Sequence, residues 1–169
     1  RGRLADRSAR LRRLIRGPRS RAMNDDQLPP SLLAALAARG NSRSFRAQAI
    51  LINEGDAGGS LYIVLSGRLR VFASSPEGRD VVLSEHGPGE YVGELSLEGT
   101  PRSASVKAVE ATTCCVVAAA QLPEFLAEHP EFALHLTHKL TRMVRRLTEQ
   151  VKSLALQDDP QSSVYRKPR

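Results

Sequence analysis

The residues best suited to do chemistry lie together in one stretch, Gly93-Glu94-Leu95-Ser96-Leu97-Glu98-Gly99-Thr100-Pro101-Arg102-Ser103-Ala104-Ser105-Val106. It reads as a glycine turn, one helical turn opened by an acid, a second glycine turn, and an arginine that starts a strand. The N–H groups that open a helical turn point away from it and favour an anion, and Gly93 lets that anion approach without a Cβ in its path. Arg102 would add a planar, two-pronged donor that matches phosphate oxygens. Glu94 would repel a phosphate unless it accepts a hydrogen from the same ligand, and a ribose hydroxyl would supply one. These residue types describe a small ligand that carries both a phosphate and a sugar hydroxyl. An Arg102–Glu94 ion pair inside a structural turn is the competing explanation of the same two charges.

Other candidates carry less. Glu90, Glu94 and Glu98 could be imagined as paired carboxylates, but no Ser or His stands beside them at a persuasive catalytic spacing, so the chain is not read as an enzyme and no catalytic residue is assigned. His135 and His138 lie three apart with no third ligand in view; they read as surface or interface histidines, and no metal site or cofactor is expected. Cys114 and Cys115 are the only cysteines. As neighbours in an apparent strand they point to opposite faces, which argues against a disulfide between them, and they lack the spacing of a zinc or iron–sulfur site. A reducing, cytoplasmic setting is expected.

The elements that must position the cassette follow from periodicity. Leu32, Leu33 and Leu36 within Met23–Arg39 suggest a short amphipathic lead-in helix, stopped by Gly40 and Asn41. Nine of the twelve glycines then fall between positions 55 and 99. They punctuate short β-rich runs at Ala49–Asn53, Leu61–Leu65, Leu69–Ala73, Val81–Leu83, Ser103–Val109 and Thr113–Ala119, the rhythm of an antiparallel sandwich or barrel. In Ser103–Val109, Ala104, Val106 and Ala108 alternate with polar residues, as in a strand with one buried face. After Ala120 the period lengthens. Gln121–His129 reads as a short helix, and Pro130 opens a long one on which Leu136, Leu140, Met143, Leu147 and Leu154 form a coiled-coil-like seam flanked by Val144 and Val151. Roughly 25 helical residues at 1.5 Å each span about 37 Å, more than a small barrel covers, so part of the seam is expected to meet a second copy.

The 169 residues carry a net charge of +7, which at first suggests a nucleic-acid binder. By position the charge divides unevenly: residues 1–22 carry +8, residues 23–138 carry −6, and residues 139–169 carry +5. The body is therefore acidic. Residues 1–22 are read as a basic disordered arm or an extension, with an Arg-rich transit peptide as a third reading. The tail 157–169 is read as disordered. The longest apolar runs, Leu32–Ala38 and Cys114–Ala120, are seven residues each, against about 20 for a membrane-spanning helix, so no membrane partner is expected.

The cassette, Gly-Glu-Leu-Ser-Leu-x-x-x-Pro-Arg-Ser-Ala-Ser-Val, resembles the phosphate-binding cassette of cyclic-nucleotide-binding domains, as found in the Crp/Fnr family of bacterial regulators, in cyclic-nucleotide-dependent kinases and in gated channels. Ile50-Leu51-Ile52-Asn53-Glu54-Gly55-Asp56, Leu61-Tyr62-Ile63-Val64-Leu65-Ser66-Gly67, Gly87-Pro88-Gly89-Glu90 and His129-Pro130-Glu131 extend the resemblance over about residues 28–156. It implies a mainly β fold with flanking helices, an antiparallel β jelly-roll (double-stranded β-helix) barrel over residues 23–129, followed by a long C-terminal dimerisation helix over residues 130–156. It implies that Glu94 accepts the ribose 2′-hydroxyl and that Arg102 pairs with the phosphate. Ser103 and backbone groups near Gly93, Leu95 and Ser96 would complete the phosphate shell. Ser103 after the arginine leans toward cyclic AMP over cyclic GMP. Thr148 stands where bacterial cyclic AMP receptors place a hydroxyl against the adenine, although Leu147 replaces a second hydroxyl beside it. Ala47 stands where the family usually has a turn glycine.

The resemblance thus implies a cyclic-nucleotide sensor and homodimerisation module of a transcription regulator, with DNA reached only through a domain not found in these residues. A stand-alone cyclic-nucleotide-binding module acting on a partner protein is the alternative reading.

Overall fold

The computed structural model describes residues 25–158; the expectations for the arm 1–22 and for most of the tail 157–169 lie outside them. The described residues form two compact units, divided between Pro130 and Glu131.

The first unit opens with helix α1, Pro30–Arg39. The expected helix from Met23 starts seven residues late because Pro29 and Pro30 disfavour helical backbone before them, while Pro30 fits the first turn, where its missing N–H is not needed. Instead, the Leu28 amide donates to the Gly89 carbonyl at 2.8 Å. Eight strands follow: β1 Asn41–Phe45, β2 Ile50–Ile52, β3 Ser60–Ser66, β4 Leu69–Ser74, β5 Asp80–His86, β6 Tyr91–Val92, β7 Ser105–Ala108 and β8 Thr112–Ala118. They form two antiparallel four-stranded sheets in the orders β1-β8-β3-β6 and β2-β7-β4-β5, the jelly-roll arrangement expected. The core lies between the sheets: Val64, Val92 and Cys114 of the first meet Ile52, Leu69, Val106 and Ala108 of the second. The alternation through β7 and the residue before it is as expected, with Ala104, Val106 and Ala108 buried.

Cys114 and Cys115 are both free and buried, and they do face opposite ways. Cys114 belongs to the inter-sheet core. The Cys115 Sγ lies 3.9 Å from the Ala37 carbonyl of α1, and a Cβ on Gly40 would stand only 2.2 Å from that sulfur. Gly40 is thus the point where α1 approaches β8 too closely for a side chain.

The turn before β2 carries its strain one residue later than Ala47: among non-glycine residues it is Gln48 that has positive φ, +65°. Its amide donates to Ala108 at 2.7 Å, so the turn is pinned to the end of β7.

Helix α2, Leu122–Glu128, closes the unit, and Arg39 ties it to α1. The Arg39 guanidinium makes ion pairs with Glu124 and Glu128 and lies over the Phe125 ring, 5.6 Å from its centre.

Helix α3, Pro130–Asp158, makes up the second unit and runs two residues past the expected end. Val144, Leu147, Val151 and Leu154 are exposed at spacings of 3, 4 and 3, while Leu136, Leu140 and Met143 are half-buried. The apolar seam is real, and its exposed part is the C-terminal half. No helix among the described residues is long and apolar enough to cross a membrane.

Candidate functional site: a cassette built around Arg102

The short β6 delivers the chain to Gly93, which adopts φ +96° and turns it into a single 3₁₀ turn, Glu94–Ser96. That backbone conformation alone favours glycine. Space requires it as well: a Cβ here would stand 2.7 Å from the Ser60 carbonyl oxygen and 2.8 Å from Arg102 Nη1. Both neighbours belong to the site, so Gly93 is the place where the end of β6, the start of β3 and the arginine converge.

Arg102 is buried, with 7% of its surface exposed. Nη1 donates to the Gly93 carbonyl at 3.1 Å and Nη2 to the Ser60 carbonyl at 3.0 Å. Both terminal nitrogens of its side chain therefore rest on neutral main-chain carbonyls. A buried guanidinium resting on neutral carbonyls is one that an incoming phosphate oxygen would stabilise.

The loop between β2 and β3 holds this arginine in place. The Arg102 amide donates to the Asp56 carbonyl at 2.8 Å, and the Gly55 amide donates to the Arg102 carbonyl at 2.9 Å. Ala57 and Pro101 form an isolated antiparallel bridge next to them. Gly58 then lies so near the cassette that a Cβ would sit 2.3 Å from the Ser96 carbonyl oxygen and 2.6 Å from that of Thr100. Gly58 and Ser60 escaped the reading of the sequence, because nothing local to residues 53–60 announces that they face a segment forty residues away.

Within the cassette, Ser96 is buried and its hydroxyl donates to the Pro101 carbonyl at 3.2 Å, while Thr100 donates to the Leu95 carbonyl at 3.3 Å. Ser96 therefore closes the loop across its own base. Glu94 is half-buried, whereas Leu95 and Ser103 are exposed. Gly93, Glu94, Leu95, Ser96, Arg102 and Ser103 are thus gathered in one loop of the first unit. Thr148 lies on α3 in the second unit, where its hydroxyl donates to the Val144 carbonyl at 2.9 Å along its own helix.

The comparisons with known proteins agree with this geometry. A family model described as the cyclic nucleotide-binding domain matches residues 42–129. The chain is similar to the CRP-like cAMP-activated global transcriptional regulator of Mycobacterium tuberculosis, at 30% identity over 132 residues that cover 78% of this chain and 59% of that protein. The chain therefore spans about three fifths of that relative. Among solved structures it is similar to the catabolite activator protein of Thermus thermophilus, at 29% identity and a TM-score of 0.69, covering 76% of this chain and 61% of that one. It is also similar to the N-terminal domain of a transcriptional regulator from Streptomyces coelicolor A3(2), at 30% identity and a TM-score of 0.58, covering 76% of this chain and 92% of that one. With the jelly-roll sheets, the cassette and these relatives in agreement, the chain belongs to the cyclic-nucleotide-binding domains of the Crp/Fnr family.

Proposed function

We propose that this chain is the cyclic-nucleotide-sensing and dimerisation module of a cytoplasmic Crp/Fnr-type transcription regulator, with cyclic AMP as its ligand ahead of cyclic GMP. The observation that carries the reading is Arg102, a buried cation held on two main-chain carbonyls beside Gly93. The relative from Mycobacterium tuberculosis, described as cAMP-activated, supports the choice of nucleotide.

In this reading Arg102 turns its two-pronged donor to the cyclic phosphate. The hydroxyl of Ser103 and the amides that open the Glu94–Ser96 turn add donors, and Glu94 accepts the ribose 2′-hydroxyl. Each charge-assisted bond contributes about 1.5–3 kcal/mol. Thr148 would add a contact to the base. The exposed stripe Val144, Leu147, Val151 and Leu154 of α3 pairs with the same stripe of a second copy, burying side chains that are costly to leave in water. Ligand then biases the packing of α3 only to the extent that it binds one arrangement more tightly than the other, and DNA responds through a separate domain of the complete regulator.

Titration calorimetry with cyclic AMP, cyclic GMP and linear 5′-AMP tests the sensor. Heat with cyclic AMP and none with 5′-AMP is expected; equal heat with all three, or none with any, overturns it. Sedimentation of the full chain and of Leu147→Lys tests the pairing, the wild type sedimenting as a dimer and the variant as a monomer.

A further inference from the structure

Beyond the cassette, one cluster of side chains joins a hydroxyl, an imidazole and a carboxylate. The Ser84 Oγ lies 2.9 Å from the Nε2 of His86, and the Nδ1 of His86 lies 3.0 Å from the Oε2 of Glu90. The Gly87 amide donates to that same Oε2 at 3.3 Å and fixes the carboxylate. A carboxylate can only accept, so the proton of the neutral ring sits on Nδ1. That leaves Nε2 as an acceptor for the Ser84 hydroxyl proton. This is the order of groups that activates a serine: nucleophile on base, base on orienting acid. Strand geometry produces it. Ser84 and His86 are two apart on β5 and so share a face, while the β5–β6 turn brings Glu90 back under the ring.

Exposure is graded in the sense a reacting serine needs. The side chains of His86 and Glu90 are buried, at 9% and 7% exposed, whereas Ser84 is half-buried. The acid and base are thus sheltered from water, and the hydroxyl remains within reach. β5 is the outer strand of its sheet, so alternate main-chain N–H groups face away from β4 and can stabilise an oxyanion. Val81, Val82 and Leu83 immediately precede the serine and are all about half exposed, so this stretch of β5 is open to a reagent.

We propose that Ser84 is a site of covalent acylation by an activated acyl donor, with His86 as its general base and Glu90 as the positioning acid. In this step the Ser84 oxygen bonds to the acyl carbon and the bond to the leaving group breaks. The Ser84 proton passes to Nε2 of His86 and from there to the departing group, so no oxidant or further reactant is needed. The site uses no residue of the nucleotide cassette.

The test treats the full chain with p-nitrophenyl butyrate and locates the butyryl group by peptide mass spectrometry, with a synthetic peptide spanning residues 78–92 as the reference. Acylation at Ser84 at least about 100-fold faster than in the peptide is expected, the scale of a positioned general base. His86→Ala should remove that advantage, and Glu90→Gln should reduce it at least about tenfold. A rate at Ser84 no greater than in the peptide, or acylation confined to other residues, overturns the proposal whether or not the variants fold.

Discussion

Arg102 Nη1 donates to the carbonyl of Gly93 at 3.1 Å, and a methyl group on Gly93 would come to within 2.8 Å of the same nitrogen. The two residues are nine apart in sequence and mutually dependent: the glycine makes room for the guanidinium, and the guanidinium satisfies the glycine carbonyl. Arg102→Ala is therefore expected to lower cyclic AMP affinity at least about 10- to 100-fold, the loss of one or more charge-assisted bonds. Arg102→Lys keeps the charge without the two-pronged geometry and should lie in between. Calorimetry on folded variants reads both. Unchanged affinity in Arg102→Ala would remove the arginine from the site.

Gly58→Ala tests whether the β2–β3 loop positions the cassette. The added Cβ would meet backbone at Ser96 and Thr100, and backbone cannot rotate away as a side chain can. Overpacking of this kind costs about 1–3 kcal/mol, and here the strain falls on the cassette itself. The expected outcome is a loss of nucleotide affinity larger than that caused by an equally destabilising change far from the loop. Equal losses would show Gly58 to be a fold residue only.

At Gln48 the prediction is a gain. An L-residue at φ +65° is strained by roughly 1–2 kcal/mol relative to right-handed backbone, and glycine escapes that penalty at some entropic cost. Gln48→Gly should raise stability by about 0.5–1 kcal/mol, seen as a higher Tm. A lower Tm would mean that the Gln48 side chain contributes more than its backbone costs.

The two cysteines predict a pH dependence. Burial, with Cys115 close by, pushes the Cys114 thiol up to about 12, and burial pushes the Cys115 thiol up to about 11, partly offset by a hydrogen bond from the Gly40 backbone. A raised pKa means that the folded chain holds these protons where the unfolded chain releases them. Their contribution to stability is therefore complete below about pH 9, near the ordinary thiol value, and is lost as pH rises toward 11–12. Urea midpoints should fall over that window, and less steeply in Cys114→Ala than in wild type once each is referred to its own value at pH 8. Neither thiol should react with a thiol reagent at pH 8 until the chain unfolds.

Much of this was legible in the sequence, and the reasons are local. The 3.6 and 2.0 periodicities mark α3 and β7 because each carries its apolar face in its own residues. The turn at Gly93 and the arginine at Arg102 suggest an anion site by residue type, and the structure brings the two together. By contrast, β1 reads Asn-Ser-Arg-Ser-Phe, and β6 is two residues long. Neither has a pattern to detect, and both exist because β8 and β3 offer them hydrogen-bonding edges.

By itself, then, the sequence determined the rhythm of an antiparallel sandwich or barrel, the long apolar helix and the cassette with its arginine, since these depend on residues close in the chain. Only the tertiary structure decided that Arg102 rests on carbonyls from Gly93 and Ser60, that Gly58 abuts Ser96, and that Ser84, His86 and Glu90 form one hydrogen-bonded row. Those relationships are set by where strands and turns meet after the sheets close. Backbone approach within 3 Å and the aim of a side chain leave no periodic trace in the residues that make them.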